Sequence, residues 1–150
     1  MKNQHQGQSD GDNATARSQF EQLGGEGRLR EIISAFIDRV FEDRMIGFFF
    51  RDADRDRIKE MEYQLTAGFL GAGIEYRGRP LDEVHAKHPI MGGHFARRRQ
   101  ILQETLKCYS VPEPIQESWL RHTDALRLLI TPDSASECDP IAARRRVKRE

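Results

Sequence analysis

A chain of 150 residues with 24 Lys and Arg against 24 Asp and Glu can bury one core large enough to enclose a ligand, and nothing in it suggests a second domain. Its zero formal net charge supplies no overall field that would favour nucleic acid or a membrane surface. The sequence holds no run of about 18 apolar residues and no signal-peptide pattern, so we expect no helical membrane span, and a soluble protein of the cytoplasm.

Residues 1–16 are rich in Gln, Asn, Gly, Ser and Asp, a composition that cannot offset the entropy of ordering. They are expected to form a disordered arm, followed by one helical domain over 17–131 and a basic disordered tail over 132–150. Ser18 caps a first short helix through Phe20 and Leu23, with Glu21 three residues on, and Gly24-Gly25 stops it. A second helix, opening near Glu26, carries Leu29, Ile32, Ile33, Phe36, Ile37, Val40 and Phe41 at steps of three and four, the pattern of an amphipathic helix. In the connector that follows, Phe48, Phe49 and Phe50 cannot all face water without a large unfavourable exposure.

Asp52 or Asp54 caps a third helix from about Arg55 to Leu70, with Ile58, Met61, Glu62, Leu65, Thr66 and Phe69 inward. Gly71-Ala72-Gly73 ends it. A loop with Tyr76, Gly78 and Pro80 leads to a very short helix over Leu81 to Ala86, whose extension Pro89 forbids. After Gly92-Gly93, Phe95, Ile101, Leu102, Leu106 and Cys108 mark a long helix that ends before Pro112. A last helix runs from about Glu113 to Ile130 with Ile115, Trp119, Leu126, Leu129 and Ile130 inward. No sustained alternation of period two competes with these readings, so the fold class is all-α. Cys108 and Cys138 form no paired motif and are expected as free thiols.

Phe20-Glu21-Gln22-Leu23-Gly24-Gly25, then Phe36, Phe49-Phe50, Tyr76-x-Gly78-Arg79-Pro80-Leu81-x-x-Val84-His85 and His94-Phe95, in this order and spacing, resemble the truncated haemoglobins of group I over roughly Phe20 to Ile130. The resemblance implies a globin-like two-on-two helical sandwich around one non-covalently bound b-type haem. His85 would be the proximal iron ligand, Phe50 the ring packed on the porphyrin, Phe36 its aromatic neighbour, and Tyr76 the tyrosine of the preceding loop. It further implies binding of a diatomic gas (oxygen, nitric oxide or carbon monoxide) and nitric oxide dioxygenation to nitrate, with a reductase to supply the iron with electrons.

The ligand side departs from the family pattern. Ile37 stands where the family usually has a tyrosine, and Glu62 where a glutamine is common; Ile58, Leu65 and Thr66 complete that face, with Phe95 nearby. An inward Glu62 would be driven towards its neutral acid by desolvation, whereas at the edge it would reach out to a surface Arg or Lys. Two further readings stay open: a peroxidase-like acid–base role for Glu62, and six-coordination through the Met61 thioether, against the plainer role of Met61 as core filler. His88 is a candidate for a haem propionate, His94 for a structural stack or cap, and His5 and His122 are expected to face solvent. A buried His85 bonded only to a backbone carbonyl, in a globin-like module without haem, is the bland alternative.

Overall fold

The computed structural model describes residues 17–78, Pro80 and residues 91–130, apart from the side chains of 128 and 130. The short helix expected over Leu81 to Ala86, with His85 and His88, lies outside the described residues, as do the expected arm, tail and Cys138. Six α-helices are described: α1 Gln19–Leu23, α2 Gly25–Glu42, α3 Arg55–Phe69, α4 Gly92–Cys108, α5 Glu113–Ala125 and α6 Arg127–Ile130. A single 3₁₀ turn, Gly47–Phe50, joins α2 to α3. Among the described residues there is no strand, and no helix is long and apolar enough to cross a membrane.

The caps follow from side-chain chemistry. The Ser18 hydroxyl accepts the Glu21 N–H at 3.2 Å, and of the two aspartates ahead of α3 it is Asp54 that accepts the Arg57 N–H, at 3.1 Å, each satisfying a donor that a helix start leaves unpaired. Between α1 and α2 the backbone turns through Gly24 and Gly25 at φ of +120° and +79°, conformations that any Cβ would strain. The α1 segment is then tied to the far end of α3 by the Phe20 N–H, which donates to the Leu70 carbonyl at 3.0 Å.

The α2 stripe forms the core as its spacing requires: Leu29, Ile32, Ile33, Phe36, Ile37 and Val40 are all buried. Burying side chains of this size stabilises by roughly 1.5–3 kcal/mol each. Phe41 sits at the edge, stacked on Phe50 with ring centroids 5.1 Å apart. From this core α2 packs against both α3 and α4, and α4 against α5, giving two helix pairs laid one on the other.

On α3 the fully buried positions are Tyr63, Thr66, Ala67 and the capping Leu70. Of the six residues expected inward only Thr66 is sealed, while Ile58, Met61, Glu62, Leu65 and Phe69 are half-buried. Apolar residues occupy so much of this helix's circumference that periodicity alone does not choose the packed face; the small Ala67 and the flat Tyr63 ring allow the closer approach. Two further positions differ from expectation. Cys108 is exposed, and Leu129 is 47% exposed, because the last helix breaks at Leu126, whose N–H is shared between the His122 and Thr123 carbonyls.

Three consecutive arginines on α4 hold the assembly together. Successive helical residues point about 100° apart, so the run fans out to three elements: Arg97 to Asp43 at the end of α2 at 2.8 Å, Arg98 to Glu62 on α3 at 3.0 Å, and Arg99 to Asp124 on α5 at 2.6 Å. The Arg97 guanidinium, helped by the Met45 and Ile46 N–H groups, holds the Asp43 carboxyl below the usual carboxylate range.

Candidate functional site

Four of the sequence-predicted site residues, Ile58, Met61, Glu62 and Leu65, share the half-buried face of α3. Behind it stand Phe36 and Ile37 of α2, both wholly buried. Beside it lie Arg98 of α4, paired with Glu62, and His122 of α5, stacked on Phe69. Glu62 is the polar centre of this region. Its Oε2 accepts from Arg98 Nη2 at 3.0 Å, with the two side chains only 16% and 20% exposed. The Arg98 guanidinium carbon also lies 4.8 Å from the centroid of the Phe36 ring, so the cation is held between an aromatic face and a carboxylate. Glu62 is paired with an arginine as one of its two expected fates required, but both partners are largely buried and the arginine stands on the neighbouring helix α4.

The same carboxylate acts on two more groups. The Tyr76 phenol is pushed up by burial and by the negative charge of Glu62. The His122 imidazole is pushed down by burial, an effect that Glu62 only partly offsets. His122 stacks on Phe69 with centroids 4.1 Å apart and the rings nearly parallel, and its buried Nε2 has no hydrogen-bond partner among the described residues. The expectation that His122 faces solvent is therefore incorrect: α5 turns it inward, three residues beyond the buried Trp119.

Other expected residues are placed elsewhere. Phe50 stacks on Phe41. His94 is structural as expected: its Nδ1 accepts the Met91 N–H at 3.3 Å at the start of α4, and its ring meets the Phe49 ring edge-on at 4.7 Å. His85, the expected metal ligand, and His88 lie outside the described residues. Sequence reasoning missed Arg98 and His122. Both carry a signal in their spacing, because Phe95, Arg98 and Leu102 share one face of α4, and Ile115, Trp119 and His122 one face of α5. A shallow groove of about 470 Å³ between α2 and α4, lined by Arg39, Glu104, Cys108 and Tyr109 among others, involves none of these residues.

These residues suit a haem. A flat apolar macrocycle needs apolar walls with few polar atoms, and Phe36, Ile37, Ile58, Leu65 and Phe69 provide them. The unpartnered nitrogen of His122 fits a site whose polar groups answer a bound molecule rather than one another. An imidazole in the segment between Tyr76 and α4, where His85 stands, is a donor of the kind iron takes.

Comparison with known proteins agrees. The family model of bacterial-like globins matches residues 18–131. The chain is 30% identical over 100 residues to the group 1 truncated hemoglobin GlbN of Synechocystis sp., which is 64% of this chain and 81% of that protein. It is 28% identical over 99 residues to the GlbN of Mycolicibacterium paratuberculosis, 66% of this chain and 73% of that one. Its fold matches the crystal structure of the truncated hemoglobin of Tetrahymena pyriformis in the Fe(III) form with a TM-score of 0.72 at 22% identity, covering 78% of this chain and all of that one. The two-on-two helical arrangement expected from the sequence is thus the fold found. The chain belongs to the bacterial-like globin family, among the truncated haemoglobins of group 1.

Proposed function

We propose that this truncated globin binds one b-type haem through His85, whose iron would then take a diatomic gas, oxygen or nitric oxide. The observation that carries the reading is the half-buried face of α3, Ile58, Leu65 and Phe69, set against the buried Phe36 and Ile37. When bound, the haem supplies an iron with one position left for a gas, together with the redox chemistry that the protein itself lacks. The side chains then decide access and polarity. Ile37 offers no hydroxyl to a bound gas, and Ile58 and Leu65 would keep the pocket apolar, so polar stabilisation falls to the Glu62 and Arg98 pair and to the His122 imidazole.

Nitric oxide dioxygenation to nitrate is the finer form of this proposal. It requires a separate reductase as partner to return the iron to its gas-binding state. The alternative in which Glu62 acts on peroxide would require its carboxyl to leave the hydrogen bond to Arg98. Six-coordination by Met61 is checked by the ferrous spectrum without added ligand, where sharp paired bands would support it and one broad visible band would exclude it. The proposal as a whole is tested by His85→Ala. The variant is expected to lose one-to-one haem binding while keeping its helical circular dichroism, and a retained Soret band of wild-type intensity would count against the assignment.

A further inference from the structure

Three consecutive arginines on α4 each pair with a carboxylate, but their surroundings differ. Arg97 and Arg99 make two hydrogen bonds apiece to theirs, Arg97 through Nε and Nη2 to the one Asp43 Oδ2 and Arg99 in bidentate fashion to both oxygens of Asp124. Arg98 makes one, from Nη2 to Glu62. Among the described residues its Nε–H and Nη1–H donors have no protein acceptor, although the side chain is only 20% exposed and lies against Phe36. A guanidinium has five N–H donors. Most of these are unspent on protein, and with the side chain one-fifth exposed they remain open to solvent and to an incoming ligand.

We propose that Arg98 is a specificity-determining residue of the haem pocket, which favours small inorganic monoanions over carbon monoxide as iron ligands. This rests on the haem reading above. Glu62 is a positioning residue in this arrangement: it holds the guanidinium against Phe36, while its own charge limits how strongly an anion is attracted. The pair therefore supplies a fixed dipole rather than a bare charge, with its spare donors on the arginine. Carbon monoxide, which stays nearly neutral when bound, gains little from it, whereas an anion such as azide or fluoride gains charge-assisted hydrogen bonds. The tyrosine hydroxyl that Ile37 replaces is a neutral donor, so the change in ligand preference follows from the chemistry of the substituted group.

The test uses the haem-loaded full chain. Azide and fluoride affinities of the ferric protein, and carbon monoxide affinity and C–O stretching frequency of the ferrous protein, are compared among wild type, Arg98→Leu, Arg98→Lys and Glu62→Gln. Arg98→Leu is expected to weaken azide by tenfold or more, to change carbon monoxide affinity less than threefold, and to raise the C–O stretching frequency as the positive field at the ligand is lost. Arg98→Lys should restore part of both effects, and Glu62→Gln should tighten azide several-fold. Azide affinity within twofold of wild type in Arg98→Leu, with an unmoved C–O stretch, would make Arg98 only a strut between α3 and α4 and overturn the proposal. If Arg98→Leu does not hold haem, Glu62→Gln decides: tighter azide supports the proposal and unchanged azide overturns it. A wild-type protein that takes up no hemin would fail the haem reading itself, a result distinct from all of these.

Discussion

The two flanks of α3 obey opposite rules. On one, Tyr63, Ala67 and Leu70 join Leu29, Ile33 and Ile37 in an apolar core, with the charge of Arg30 stacked on the outer face of the Tyr63 ring. On the other, Glu62, Arg98 and His122 are inserted among half-buried apolar side chains, with a buried His122 nitrogen that has no partner among the described residues. The first flank is what a helical fold needs in order to exist. The second lowers stability, and the natural reason for keeping it is the molecule it is shaped to bind.

Variants on the two flanks should therefore separate stability from ligand binding. The largest effect on stability is expected from Trp119→Ala, which empties a fully buried site on α5; urea denaturation should show a loss of about 3–5 kcal/mol. Gly71→Ala comes next. Gly71 has φ of +94°, and an added Cβ would stand 3.1 Å from the Ser18 Cβ, so a loss of about 2 kcal/mol is expected with haem affinity unaltered. A comparable fall in haem affinity would show that the α1–α3 junction shapes the pocket as well.

The smallest effect has the opposite sign. His122→Phe keeps a ring against Phe69 and removes an unpartnered buried nitrogen, so the haem-free protein should gain about 1 kcal/mol. The sign of its pH dependence follows from the depressed pKa of His122 in the folded state. Above about pH 6.5 the imidazole is neutral in both folded and unfolded chains. Below that value the unfolded chain takes up a proton that the folded one refuses, and stability falls until the folded pKa is reached. The variant should lack this decline. An identical pH profile in both proteins would remove His122 as its source.

Much of the first flank was legible in the sequence, because its information is periodic. The α2 stripe from Leu29 to Val40 is buried as read, and Ser18 and Asp54 cap because their side chains accept from the helix start. The second flank was legible only in part. Glu62 was recognisable as the residue on which the pocket turns, but its partner stands in a run of three arginines that reads as a solvated patch. Only the fan of directions on α4 sorts Arg98 from its neighbours. The facing of α3 was misjudged by one step around the helix, since Tyr63 and Ala67 compete with Glu62 and Leu65 for the core. His122 read as a surface residue because the flanking Arg121 and Asp124 are polar, although its place beside Trp119 and Thr123 argues otherwise.

The central claim is that this helical shell carries an iron porphyrin on the His85 imidazole, and a hemin titration of the purified full chain tests it most directly. The account predicts a Soret band that saturates at one hemin per chain, and ferric, ferrous and carbon monoxide-bound spectra typical of a histidine-ligated haem. It also predicts that the band is lost in His85→Ala. A wild-type protein that stays colourless with hemin in excess, or a Soret band that persists unchanged without His85, would contradict it.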